Sequence, residues 1–128
     1  GAYPVKRGAG DREALRTASN RLLGGWATGV FLDGTRQDNG RVNDPKAGAA
    51  LLSARTGCPI LPVAIVNSHR AFPKGSFIPR FVSIHLKVGE LIQPPSSRKR
   101  EDLVSTTKEI QLAINSMLDK GLIKHISN

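Results

Sequence analysis

An α/β fold is predicted by three features of the sequence. Short apolar runs alternate along the chain with segments whose apolar residues recur at helical spacing. The run at residues 28–32 is continuous enough to suggest a strand covered on both faces, as in a parallel sheet. Glycine, proline and aspartate fall between the segments, where turns and helix ends belong. Such alternation implies a sheet with crossover connections and flanking helices.

Taken in order, Tyr3-Pro4-Val5-Lys6-Arg7 reads as a short strand, with Pro4 marking an edge or a strand start. Gly8 and Gly10 break it. Asp11 is a good N-cap, and Leu15, Ala18 and Leu22 follow on one helical face until Gly24-Gly25 ends the helix. Residues 28–32 form the second strand and residues 33–44 a polar loop. Asp44 as N-cap, with Pro45 at the first helical position, predicts a helix whose apolar face is Ala47, Ala50, Leu51 and Ala54. Gly57 and Pro59 stop it, and residues 60–66 form the third strand.

Residues 67–79 read as a loop containing Phe72 and Phe77. Residues 81–88 alternate apolar and polar, the pattern of a half-exposed strand. After a linker at 93–100, Leu103, Ile110, Ile114, Met117 and Leu118 predict an amphipathic helix from about 101 to 120, capped by Gly121.

The composition bounds the function. A chain of 128 residues suits one domain with a real core, and 39% hydrophobic residues with 13 glycines and 8 prolines is a globular composition rich in turns. The longest apolar stretch, residues 58–66, contains Pro59 and Pro62 and falls far short of the roughly 20 residues of a spanning helix. No basic-then-apolar signal peptide opens the chain. The single cysteine, Cys58, excludes an internal disulfide, fits a reducing compartment and reads as a small core residue. The net charge of +9 restricts partners to anionic membranes, phosphorylated metabolites or nucleic acid. The one dense cationic run is Arg98-Lys99-Arg100, which also fits a plain solvated face.

The stretch Phe31-Leu32-Asp33-Gly34-Thr35-Arg36 stands out. An apolar run ends in a carboxylate, a glycine, a hydroxyl and a guanidinium just before a helix, a common place for an α/β protein to hold a ligand. Alone, Asp-Gly-Thr is equally well a turn. Its neighbours tell more. Residues 1–8 (GAYPVKRG), 31–36, Lys46-Ala47-Gly48-Ala49-Ala50-Leu51-Leu52 and Cys58-Pro59-Ile60-Leu61-Pro62-Val63-Ala64-Ile65 occur in the order of the glycerolipid acyltransferases. From Gly1 to about Glu90 the chain resembles the catalytic domain of a PlsC-like 1-acylglycerol-3-phosphate acyltransferase. The family's central motif usually reads Phe-Pro-Glu-Gly-Thr-Arg-Ser; here Leu32, Asp33 and Gln37 replace its proline, glutamate and serine. The family's catalytic H-x-x-x-x-D motif lies upstream of the block at Gly1.

The resemblance implies a glycerol-phosphate-acyltransferase-like α/β sheet with flanking helices, incomplete at the N-terminus. Residues 1–128 would be a single domain, the C-terminal portion of the catalytic domain. It implies transfer of a fatty acyl group from acyl-CoA or acyl carrier protein to lysophosphatidate, giving phosphatidate in phospholipid biosynthesis. The thioester is a co-substrate, and no cofactor or metal is implied. The matching acceptor-phosphate positions are Arg7, Asp33, Gly34, Thr35 and Arg36, with Lys6 and Lys46 as further candidates. Their chemistry suits the role. Arg7 and Arg36 offer planar forks for phosphate oxygens, although either alone would also serve in a surface ion pair. Thr35 and the Gly34 amide can donate, and Asp33 could orient an arginine or accept from a glycerol hydroxyl. Lys46 lies where helix amides and a cation could meet an anion together.

The general base is expected upstream, so this chain alone is expected to be inactive. His85 to Glu90 mimics the motif, but residues five apart on a strand point to opposite faces. His69 reads as a surface or binding histidine, and His125 lies in the tail. The expected location is cytoplasmic, peripheral to the inner face of a membrane, with Arg98-Lys99-Arg100 and the loop holding Phe72 and Phe77 facing anionic lipid. Two other readings remain: a non-catalytic lipid- or phosphate-binding relative, and a basic nucleic-acid-binding module. Only 5% of residues are aromatic and no RNA-binding signature is present, which weighs against the last.

Overall fold

A computed structural model describes residues 12–34 and 37–126. Its elements are, in order, helices α1 (Arg12–Leu23) and α2 (Gly48–Thr56), strand β1 (Val63–Val66), the one-turn helix α3 (Ser68–Ala71), strand β2 (His85–Val88) and the long helix α4 (Arg100–Ile126). The class is the expected mixture of helices and sheet. The details depart from expectation in four places.

First, the described sheet has two strands, and they are antiparallel. Val63 pairs with Val88, and Ile65 with Leu86. The pairing resumes beyond a bulge, where residues 61–62 face residues 89–91, with Ile60 and Ile92 exchanging backbone hydrogen bonds of 2.9 and 2.8 Å. The connection from β1 to β2 holds only the single turn of α3, so no helical crossover forms there and the chain turns back on itself. Of the strand expected at residues 81–88, only His85–Val88 pairs.

Second, residues 28–32 are not a strand among the described residues. Val30 and Phe31 are exposed and only Leu32 reaches the core, so the run is not covered on both faces. Just after it, Asp33 forms an isolated antiparallel bridge with Pro45.

Third, Asp44-Pro45 does not start a helix. The Asp44 amide donates to the Asp33 carboxylate, Pro45 bridges Asp33, and the Lys46 amide donates to the Leu32 carbonyl at 2.8 Å. With these backbone groups engaged in an extended pairing, the helix is delayed to Gly48, and no side chain caps it. Fourth, α4 runs through Gly121 to Ile126 instead of stopping at the glycine. The expected strand at residues 3–7 and the Asp11 cap lie outside the described residues.

The other helix ends follow the sequence. At the end of α1 the Gly25 amide donates to the Leu22 carbonyl and the Trp26 amide to the Arg21 carbonyl, the two bonds of a Schellman motif, with Gly25 at φ +85°. The Arg21 guanidinium lies over the Trp26 ring, 6.0 Å from its centre.

Helix α4 is the spine of the core. Ile110, Ile114 and Leu118 recur every four residues and so share one face. Ile110 is buried with Leu32 and Ile92, against Val42, Ala49 and Ile60. Leu118 is buried with Ala64 and Val66 of β1, and Ile114 packs against both clusters. Small residues in α2, with Ala50 fully buried, let that helix approach both α1 and α4. No described helix is long and apolar enough to cross a membrane.

Candidate functional site

The described parts of the polar segment after Leu32 are tied together at Asp33 and residues 43–45. One carboxylate oxygen of Asp33 accepts from the Asn43 amide at 3.2 Å and the other from the Asp44 amide at 3.0 Å. A short acidic side chain that collects amides of a following segment stabilises a turn as an N-cap stabilises a helix end. Inside the loop the Asn39 Oδ1 accepts from the Arg41 amide at 3.0 Å and from Asn43 Nδ2 at 2.9 Å, and Asn43 Nδ2 also reaches Gln37 Oε1 at 3.0 Å.

The far side of the loop is docked on α4. The Val42 amide donates to Asn115 Oδ1 at 2.9 Å, and the Val42 carbonyl accepts from Asn115 Nδ2 and Gln111 Nε2, both at 3.0 Å. Arg41 forms an ion pair with Asp119. Gln111, Asn115 and Asp119 are four residues apart, one position beyond the apolar row 110, 114 and 118. Sequence reasoning did not single out this polar row, because such residues beside an apolar stripe look like any solvated face. The signal was its strict spacing of four.

Gly40 braces the loop against α3. Its φ is +67°, and a Cβ built on it would fall 2.2 Å from Nδ1 of His69. A side chain there would strain the backbone and displace the His69 ring. His69 is thus half-buried against the loop, not merely a surface histidine. His85 lies on β2, opposite Val66. Cys58 is half-buried rather than buried, and its carbonyl accepts from the Ser53 hydroxyl at 2.6 Å.

Of the candidate acceptor residues, the structure brings Asp33, Gly34 and Lys46 together. Lys46 pairs with Asp44, and its aliphatic stem passes Gly34, where a Cβ would lie 3.8 Å from the lysine Cε. A primary ammonium is therefore held beside the glycine of the Asp-Gly-Thr-Arg stretch. Such a cation can receive an anionic oxygen. Lys6, Arg7, Thr35 and Arg36 lie outside the described residues. No cluster of three or more potential metal ligands occurs among the described residues.

The family model for acyltransferases matches residues 1–66, more than half of the chain, and it includes this polar segment. The chain belongs to the PlsC-like acyltransferase family. It is 27% identical over 106 residues to a chloroplastic 1-acyl-sn-glycerol-3-phosphate acyltransferase of Brassica napus, covering 81% of this chain and 30% of that protein. The 1-acyl-sn-glycerol-3-phosphate acyltransferase of Borreliella burgdorferi is 30% identical over 87 residues, covering 66% of this chain and 35% of that one. Among solved structures, the 1-acyl-sn-glycerophosphate acyltransferase PlsC of Thermotoga maritima superposes with a TM-score of 0.72 at 29% identity, over 84% of this chain and 43% of that one. The chain thus spans about a third of the length of the curated relatives it matches.

Proposed function

We propose that this chain forms the acceptor side of a 1-acylglycerol-3-phosphate acyltransferase, holding the phosphate and glycerol of lysophosphatidate. The parent enzyme moves a fatty acyl group from acyl-CoA or acyl carrier protein to the free hydroxyl of that lipid. The hydroxyl oxygen attacks the thioester carbonyl, the carbon–sulfur bond breaks, and a base passes the hydroxyl proton to the departing thiolate. The product is phosphatidate.

The observation that carries this reading is the loop at 33–46, in which Asp33 binds the Asn43 and Asp44 amides and Lys46 is held beside Gly34. A cation beside a glycine, at a turn held by Asp33, suits a phosphomonoester. The relatives named for this substrate support the acceptor assignment. Arg7, Thr35 and Arg36 complete the proposed phosphate cradle, and Lys6 is a further candidate. Because the acceptor is a lipid, the site works at an anionic membrane surface, on its cytoplasmic side.

Neither His69 nor His85 heads an H-x-x-x-x-D sequence. On this reading the chain is a binding half, and the base belongs to the parent enzyme. Titration of the 128-residue chain with glycerol 3-phosphate, followed by calorimetry or amide chemical shifts, tests the reading. Saturable binding that Arg36→Ala weakens is expected, together with no phosphatidate from acyl-CoA and lysophosphatidate. Absence of binding would remove the acceptor role. Product formation would make His69 and His85 the first residues to examine as bases.

A further inference from the structure

Aromatic side chains usually anchor the core of a domain because each buries a large apolar area. Here all four phenylalanines and the single tryptophan are exposed, and none belongs to either core cluster. Three of the phenylalanines, Phe72, Phe77 and Phe81, fall within ten residues of each other between α3 and β2. Phe77 and Phe81 are as open as in an extended chain, at 97% and 107%, and Ile78 between them is 76% exposed.

The backbone holds this segment in place. The Arg80 amide donates to the Ala71 carbonyl at 2.7 Å and closes its base. Within it the Ser76 amide donates to the Pro73 carbonyl at 3.0 Å, and Gly75 stands at φ +80°. The Ser76 hydroxyl donates to the Ile78 carbonyl at 3.1 Å and accepts from the Ile78 amide at 3.3 Å. Pro73 and Pro79 restrict φ on either side. This is a compact, self-bonded surface loop with its apolar side chains at the tip. Its ordering cost is therefore already met before any partner arrives.

The charge around the tip has one sign. Between Asp44 and Glu90 the sequence holds no Asp or Glu, yet it carries Lys46, Arg55, Arg70, Lys74, Arg80 and Lys87. Arg70, Lys74 and Arg80 are exposed and bracket Phe72, Phe77 and Ile78. An apolar tip with a cationic rim matches one kind of surface, a bilayer with an apolar interior beneath anionic headgroups. A second copy of this chain would bring the same positive rim against itself.

We infer that the loop at residues 72–81 is an interfacial anchor, which inserts Phe77 and Ile78 below the headgroups of an anionic membrane while Lys74 and Arg80 pair with lipid phosphates. It rests on the membrane setting of the proposed function but adds a surface separate from the acceptor loop at 33–46. Anchoring there holds the chain at the lipid surface without occupying the phosphate site.

The test is sedimentation of the 128-residue chain with vesicles of phosphatidylcholine alone or mixed with phosphatidylglycerol, with no lysophosphatidate present. Binding only to the anionic vesicles is expected. The pair Phe77→Ser and Ile78→Ser should weaken it roughly tenfold, and Lys74→Gln or Arg80→Gln roughly fivefold each. Leu112→Ser, an exposed apolar change on α4, should leave it unaltered. In a Trp26→Phe background, Phe77→Trp should show blue-shifted emission on anionic vesicles and quenching by brominated acyl chains. Unchanged vesicle binding in the loop variants, or an indole that stays in water, overturns the proposal. So does loss of self-association in the Phe77→Ser, Ile78→Ser pair without any lipid binding, which would make the loop a contact between copies. Glycerol 3-phosphate affinity is measured apart from lipid, so failure of the anchor and failure of the acceptor site are distinguishable.

Discussion

Asn115 holds Val42 by both of its backbone groups, accepting from its amide at 2.9 Å and donating to its carbonyl at 3.0 Å. A residue of the long helix therefore fixes Val42, whose side chain packs in the core with Leu32 and Ile110. Removing that side-chain amide strands a part-buried donor and leaves the carbonyl with Gln111 alone. Asn115→Ala is expected to cost about 2 kcal/mol of stability, from the usual penalty of an unmet amide. Urea unfolding measures it, and Asn115→Asp, which keeps the acceptor, should recover part of the loss.

Asp33 offers a second point of attack, because its two oxygens each receive one amide of the segment that returns toward Lys46. Asp33→Ala should loosen the loop and lower glycerol 3-phosphate affinity severalfold, while global stability falls by only about 1 kcal/mol because the bonds are solvent-accessible. Asp33→Asn keeps an acceptor oxygen and should fall between the two. A calorimetric titration of the three proteins decides the order; equal affinities would show that the loop does not need this closure to bind.

Gly40 and His69 form a coupled pair. Gly40→Ala places a methyl carbon within 2.2 Å of the imidazole and forces a residue with a Cβ to φ +67°. The expected loss is about 1–3 kcal/mol, combining backbone strain with the clash. His69→Ala in the same chain should restore the steric part but not the backbone part, so the double variant should be more stable than Gly40→Ala alone. A double-mutant cycle by thermal denaturation reads the coupling directly.

Lys46 separates binding from stability. Its side chain is mostly exposed and its pairing with Asp44 is a surface one, so Lys46→Ala should leave the melting temperature nearly unchanged. Glycerol 3-phosphate affinity should nevertheless drop severalfold, since the ammonium beside Gly34 is lost. Lys46→Arg should retain most of it. If affinity is insensitive to both changes, the cation beside Gly34 is not a phosphate ligand.

What could be read from the sequence was mostly local. Helix α1 and its Gly24-Gly25 stop, the Gly57 stop of α2 and the apolar row of α4 follow from periodicity and backbone chemistry carried by a few adjacent residues. The misreadings share a cause: tertiary partners claimed groups that looked locally committed. Asp44-Pro45 has the form of a helix start, but Asp33, eleven residues earlier, binds the Asp44 amide and holds the pair extended. Residues 28–32 have the composition of a buried strand, yet only Leu32 finds the core. Of the acceptor candidates, Arg7, Asp33, Gly34, Thr35 and Arg36 with Lys6 and Lys46 as further ones, the described residues are Asp33, Gly34 and Lys46, and these lie side by side. What the sequence concealed was their support, because Gln111, Asn115 and Asp119 reach the loop across some seventy residues of chain.

Helix α4 carries its apolar row and its polar row one residue apart, and an α-helix turns about 100° per residue. The two rows are thus in fixed angular phase on a single rigid cylinder. Any adjustment that rolls α4 to refill the space around Ile110 and Leu118 also swings Asn115 away from Val42. A sideways shift carries Gln111, Asn115 and Asp119 with the helix, and so moves their partners Val42 and Arg41 as well. The seating of α4 in the core therefore sets both the position and the angle at which Arg41 and Val42 are held.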